Sequence, residues 1–231
     1  MAKKIYVSPS DQTENLYAVG NTNEAVLCRK IAVSLVEALK RCGFEAMTNL
    51  TDGMEARVRE SNKWGANLHI PVHTNAFNTK VKGTRLMAYD TGGAGYRACQ
   101  AIMKTLAPIT PGGSDSITAR PGLYEVGCAA APTAYIEVAF HDNKDEANWI
   151  IENTNEIAEA ICEGVCDYYG YTYVAPVKAP TPTPTPAKVM HRVFNKDGEQ
   201  VGAFSVEANA FNRVKDLLNT EGYAAITLSV K

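Results

Sequence analysis

The sequence predicts an α/β protein: a largely parallel twisted sheet with helices on both faces, followed by a small α+β module. Three observations carry this expectation. Short apolar runs alternate with amphipathic helical patterns from about residue 4 to residue 169, a proline-threonine run then interrupts the chain, and a shorter strand-and-helix pattern follows it. Strands separated by helices call for right-handed crossovers, which yield parallel pairing and a sheet covered by helices.

The elements follow from local patterning. Lys4–Ser8 is a short apolar run and reads as the first strand. From Asn23 to Arg41, Leu27, Ile31, Leu35 and Leu39 recur every fourth residue, one face of a helix that Gly43 stops. Phe44–Met47 reads as extended, Met54–Trp64 as helical, Leu68–Val72 and Gly83–Tyr89 as strands, and Tyr96–Leu106 as a helix. Leu123–Val126 and Ala134–Val138 are expected to be short strands, and helices near Lys144–Glu152 and Asn155–Tyr169 close the domain.

The run from Val174 to Pro186 alternates proline with threonine and other residues. Proline removes backbone donors and holds φ near the polyproline value, so this is a stiff spacer that could separate its flanks by roughly 40 Å. The sequence is thus divided into a catalytic-sized domain (1–173), a Pro/Thr-rich linker (174–187) and a small module (188–231). In the module, Met190–Phe194 and Gln200–Ser205 flank Asn195-Lys196-Asp197-Gly198, a hairpin signal. A helix with Ala208, Phe211, Val214 and Leu217 as its apolar stripe follows, then a strand at Tyr223–Val230. About 44 residues hold only a small core, which suits a binding module better than an enzyme.

Composition narrows the partners. A chain of 231 residues with 45% hydrophobic and 21% charged residues has room for one substantial core and an appendage. The net charge of −2 lacks the basic excess of a nucleic-acid binder, so no nucleic-acid partner is expected. No apolar run reaches the roughly 20 residues that span a bilayer. The N-terminus enters a strand directly after Lys3 and Lys4, so the expectation is synthesis in the cytoplasm with neither a signal peptide nor a membrane span. The six cysteines (28, 42, 99, 128, 162, 166) include no CxxC pair and read as buried thiols of a reducing compartment.

In a parallel sheet the ligand site lies beyond the carboxyl ends of the strands. His73 falls there on the third strand, Glu137 ends the Ala134–Val138 strand, and Glu24 opens the first long helix. Zinc hydrolases combine neutral imidazole and carboxylate ligands with a further carboxylate that accepts a proton from water. Glu24 and His73 could supply the ligands and Glu137 the base. An acidic residue in a first helical turn is also favoured by the helix dipole alone. Glu137 has no such bland explanation, because burying it unpaired inside Tyr135-Ile136-Glu137-Val138 would be unfavourable. His69 and His73 face the same way on an extended strand but lie roughly 13 Å apart along it. The end position, His73, suits the metal, and His69 suits packing.

Several motifs in order resemble the zinc-dependent N-acetylmuramoyl-L-alanine amidases of bacterial autolysins and phage endolysins. They are Asn23-Glu24, Arg57 to Asn62, Ala66-Asn67-Leu68 through Val72-His73-Thr74-Asn75-Ala76, Gly83-Thr84-Arg85, and Pro132-Thr133-Ala134-Tyr135-Ile136-Glu137 through His141-Asp142-Asn143. The resemblance implies a hydrolase of bacterial peptidoglycan that acts at the cell wall after lysis-type release. It would cut the amide between N-acetylmuramic acid and L-alanine, with Zn2+ held by Glu24 and His73 and Glu137 acting in catalysis. Family members carry a histidine after the first strand, where this chain reads Val7-Ser8-Pro9-Ser10-Asp11-Gln12. The third metal ligand is therefore open between His141, Asp11 and Gln12, with His141 as the leading choice. Gln200–Ser205 followed by Ala208-Asn209-Ala210 partly resembles a sporulation-related, peptidoglycan-binding repeat. A non-catalytic wall-binding protein with a decayed metal site and a zinc peptidase acting on the stem peptide are the alternatives.

Overall fold

The structure, a computed structural model, describes residues 2–177, 191–195, 197–204, 207–220 and 226–230. The chain divides into two compact units, Met1–Pro176 and Val177–Lys231. Of the Pro/Thr-rich linker expected at 174–187, residues 178–187 lie outside the described residues.

In the first unit, strand β1 (Lys4–Pro9) leads into helix α1 (Glu24–Arg41), then β2 (Glu45–Thr48), α2 (Met54–Trp64), β3 (Leu68–Asn75) and β4 (Arg85–Ala88). Helix α3 (Ala94–Leu106), a 3-10 turn, β5 (Ser116–Ala119), α4 (Tyr124–Gly127), β6 (Tyr135–Phe140), α5 (Lys144–Glu152) and α6 (Thr154–Tyr169) complete it. The six strands lie in the order β2-β1-β3-β6-β4-β5. All neighbours are parallel except β4 and β6, which run antiparallel. The chain steps from β1 outward to β2 and returns across β1 to β3, so right-handed crossovers put α1 and α2 on opposite faces. That reversal makes the carboxyl ends of β1 and β3 the topological switch point where α/β sheets bind ligands.

Helix α1 starts where Asn23 takes an extended conformation and its Oδ1 accepts the Val26 N–H at 3.0 Å. It stops at Gly43, whose φ of +89° an L side chain would resist. Leu27, Ile31, Leu35 and Leu39 are all buried, as their spacing predicts. Each contributes about 1.5–3 kcal/mol by leaving water. They pack with Ile5, Val7, Ile70 and Val72 of the sheet and with Ile157, Ile161 and Val165 of α6, while α3 adds Ile102 and Leu106 to the same core.

Two expectations need correction. Leu123–Val126 is not a strand: the N–H groups of Val126 and Gly127 close onto the Leu123 carbonyl at 3.0 and 2.8 Å, making the single helical turn α4. A four-residue apolar alternation does not distinguish the two conformations. The short strand β5 was not anticipated, because Ser116, Ile117, Thr118 and Ala119 form a partly exposed edge without an apolar face. Strand β3 also extends three residues past Val72, and this extension carries His73.

The second unit is an antiparallel sheet in the order β8-β7-β9, with β7 (His191–Asn195) central between β8 (Gln200–Phe204) and β9 (Ile226–Val230). Gly198 takes the positive φ (+83°) expected of the Asp-Gly turn. Helix α7 (Glu207–Thr220) brings Ala210 and Leu217 against Val193.

The α3–α6 contact supplies the first prediction. A Cβ at Gly164 would sit 2.5 Å from the Ile102 Cα, a backbone atom that cannot swing aside. Gly164→Ala should lower the unfolding free energy by about 1–3 kcal/mol in chemical denaturation; an unchanged midpoint would show that the helices separate freely.

Candidate functional site

The site is assembled from the loop after β1, the first turn of α1, the end of β3, the turn α4 and the middle of β6. Glu24, first residue of α1, is buried. Its Oε1 lies 2.8 Å from His73 Nδ1 and 3.3 Å from the Thr74 backbone N–H, and its Oε2 accepts the Asn15 Nδ2–H at 2.6 Å. His73 is buried too, with its ring stacked on Tyr135 at 4.7 Å between centroids.

The other face of His73 meets a residue the sequence reading overlooked. Glu125, buried in α4, takes His73 Nε2 at 3.3 Å with one oxygen. With the other it takes His69 Nε2 at 3.4 Å and the Ser8 hydroxyl. The Ser8 Oγ also accepts the Arg57 Nε–H at 3.0 Å. Arg57 is fully buried, and Asp11 lies 3.4 Å from its Nη2. Rings that strand spacing sets far apart are thus joined by the two oxygens of one carboxylate. The signal was present: Leu123-Tyr124-Glu125-Val126 puts a charge inside an apolar run, the same feature that singled out Glu137.

Burial alone would raise the Glu125 carboxyl, but hydrogen bonds from His69 and His73 pull it down to about 2. Burial alone would likewise depress His73; its bonds to Glu125 and Glu24 and the nearby charge of Glu137 instead raise it to about 10. Glu137 pairs in register with His73 across β3 and β6. Its Oε2 is buried without a hydrogen-bond partner, and burial, assisted by repulsion from Glu24 and opposed by His73, pushes its carboxyl up to about 7. Between His73 and Asn75 the register shifts, Asn75 standing opposite Phe140. Such bulges re-aim side chains beside functional sites.

The remaining sequence candidates are placed as follows. His141 is buried and stacked on Tyr17 at 5.2 Å, with Nδ1 3.0 Å from Thr74 Oγ1 and 3.1 Å from the Thr74 carbonyl. Asp11 accepts the Met54 N–H at 3.0 Å, at the start of α2. Gln12 brings its side-chain nitrogen within 3.4 Å of His73 Nδ1, the ring atom that also faces Glu24. Asn62 holds the segment after α4, donating to the Cys128 carbonyl at 3.0 Å and accepting the Ala130 N–H at 2.7 Å.

Fold and site together define an α/β domain with a buried carboxylate–imidazole centre at the switch point of its sheet. The chain belongs to the N-acetylmuramoyl-L-alanine amidase family Amidase_3, whose model matches residues 7–167. Its structure is similar to the catalytic domain of CwlV, an N-acetylmuramoyl-L-alanine amidase from Bacillus (Paenibacillus) polymyxa var. colistinus (TM-score 0.65, 16% identity, 74% of this chain and 99% of that one). It is also similar to an N-acetylmuramoyl-L-alanine amidase from Clostridium difficile 630 (TM-score 0.62, 18% identity, 73% and 97%). A third similar structure is the catalytic domain of the CD27L endolysin targeting Clostridia difficile (TM-score 0.57, 20% identity, 71% and 97%). At these identities the likeness speaks for the fold. No curated protein matches the chain. Among the described residues, no helix is long and apolar enough to cross a membrane.

Truncating Glu125 would leave Ser8, His69 and His73 facing a void in place of an acceptor. Glu125→Ala should therefore lower stability by roughly 3–5 kcal/mol, as when one partner of a buried ion pair is removed. Urea unfolding tests this, and a loss under about 1 kcal/mol would mean that water or a rearranged side chain replaces the carboxylate.

Proposed function

We propose that the Met1–Pro176 unit hydrolyses the amide between N-acetylmuramic acid and L-alanine in bacterial peptidoglycan, using Zn2+ held by Glu24 and His73. The observation that carries this reading is the unpartnered, buried Oε2 of Glu137 beside the Glu24–His73 pair in a chain of the amidase family. A carboxylate oxygen and an imidazole nitrogen already 2.8 Å apart, out of bulk water, are a donor set that suits zinc.

Zinc, when bound, supplies Lewis acidity towards the attacking water and the scissile carbonyl. The protein's own groups do the rest. Glu137 takes the proton of the attacking water and passes it to the departing alanine nitrogen. Its carboxyl, raised by burial to about 7, is matched to general acid–base work near neutral pH. With zinc bound, Glu125 accepting from His73 Nε2 would hold the tautomer that offers Nδ1 on the Glu24 side. Tyr135 walls the imidazole and holds its plane.

For the third donor, Gln12 has the advantage of position: its side-chain nitrogen lies 3.4 Å from His73 Nδ1, and rotating the amide would turn Oε1, which now accepts from Asn15 Nδ2, to the metal side. His141 is the alternative and would have to offer Nε2, because its Nδ1 is engaged with Thr74. The second unit is proposed to bind the cell wall, in line with the partial repeat at 200–210. A Pro/Thr spacer would then raise the effective concentration of the hydrolase at an insoluble polymer. An endolysin or autolysin acting at the wall is the setting that fits these parts.

Incubating the full chain with clostridial-type cell walls should release new L-alanine amino termini, and a chelator should stop it. No release would favour a wall-binding protein with a decayed site, and termini within the stem peptide would favour a peptidase. Glu137→Gln should reduce turnover by roughly 10²–10⁴-fold while leaving wall binding and metal content unchanged. Elemental analysis should find one zinc equivalent fewer per chain in His73→Ala than in the wild type and that same equivalent weakened in Gln12→Ala; its retention in Gln12→Ala with loss in His141→Ala would assign the third position to His141.

A further inference from the structure

Three cysteines that the amidase site does not use meet at the far end of α1, roughly 27 Å along the helix from Glu24 at 1.5 Å per residue. We propose that Cys42, Cys162 and Cys166 form a trithiolate site for a thiophilic divalent cation, with the Val174 carbonyl or a water in the fourth position.

Cys42 caps α1 just after Arg41, and Cys162 and Cys166, four residues apart on α6, point the same way. Their sulfurs all lie within 4.8 Å of one another, the group of donors that converges this closely among the described residues. The Cys42 and Cys162 sulfurs are 3.7 Å apart. Tetrahedral zinc with Zn–S bonds of about 2.3 Å places its sulfurs about 3.8 Å apart, so little movement is needed. Three mutually close thiols cannot all pair as disulfides, but all three can serve one ion.

The surroundings suit such an ion. Cys162 and Cys166 are fully buried and Cys42 is 7% exposed, so the site is shielded but has an access route at its rim. Arg41, Glu159 and Tyr173 line a surface cavity beside that rim. The Val174 N–H donates to Cys42 Sγ at 3.3 Å, its carbonyl lies 3.8 Å from the same sulfur, and Arg41 Nε donates to that carbonyl at 2.8 Å. Burial raises the Cys166 and Cys162 thiols above their ordinary range. Binding replaces three S–H protons with three metal–sulfur bonds and releases the protons to solvent. The resulting centre carries one negative charge, and Arg41, shared with Glu159, supplies a nearby cation. The ion would staple the end of α1 to α6 and to residues 171–176, from which the chain leaves the first unit. Binding to the folded state alone would stabilise that unit by mass action.

The test is a cadmium titration of the full chain, reduced with a phosphine and followed by ultraviolet sulfur-to-cadmium charge transfer, which oxygen and nitrogen ligands do not give. The expected result is a band saturating at one equivalent, kept in His73→Ala and in Cys128→Ser and lost in Cys166→Ser and Cys42→Ala. Absence of the band in the wild-type chain would overturn the proposal, as would its survival in Cys166→Ser or its loss in Cys128→Ser. Should the core variants fail to fold, alkylation of the wild-type chain in mild urea decides: cadmium must protect Cys42, Cys162 and Cys166 while Cys128 reacts. Protection of any other set would overturn the site.

Discussion

The Glu125 carboxylate is the constraint around which this site is organised. It is buried with two imidazoles and a serine hydroxyl on its two oxygens. A charge in such a place is tolerable only when every lone pair is used. That requirement fixes several elements together. The turn α4 must present Glu125 inward, β3 must carry two histidines on one face, and Ser8 must stand where its hydroxyl can link Glu125 to Arg57. Ser8 at the end of the first strand joins this buried polar network, and His73 is held between two carboxylates, Glu24 at Nδ1 and Glu125 at Nε2.

Sheet topology explains why such distant residues converge. The reversal of strand order between β1 and β3 opens the end of the sheet, and α1 enters there with Asn23 as its cap and Glu24 as its first residue. The β3–β6 pairing sets Glu137 beside His73 on that same edge. Because the sheet and the α1–α6–α3 layer share one continuous buried core, the carboxylate and imidazole positions are inherited from that core. The far end of α1 is held differently, by sulfur and backbone contacts among Cys42, Cys162 and Val174.

Much of the fold was legible before any coordinates. The four-residue spacing of Leu27, Ile31, Leu35 and Leu39, and the bounds of Met54–Trp64 and Lys144–Glu152, agree with the observed helices. Local rules suffice where a long periodic face and a capping residue agree. They failed at Leu123–Val126, where four residues carry too little periodicity to separate a strand from a turn of helix, and at β5, an edge strand with no apolar face to read.

The sequence by itself determined which residue types were available for chemistry and where the chain would alternate, because side-chain periodicity and capping act over a few neighbours. It also marked Glu137 as a charge in an apolar run that needed an explanation. Only the tertiary structure decided which groups meet: that Glu125, about 50 residues from His69 and His73, bridges both; that Gln12 approaches His73 while Asp11 turns to α2; and that three scattered cysteines share one corner. Those outcomes depend on long-range packing, where strand order and crossover direction set distances that no local pattern encodes.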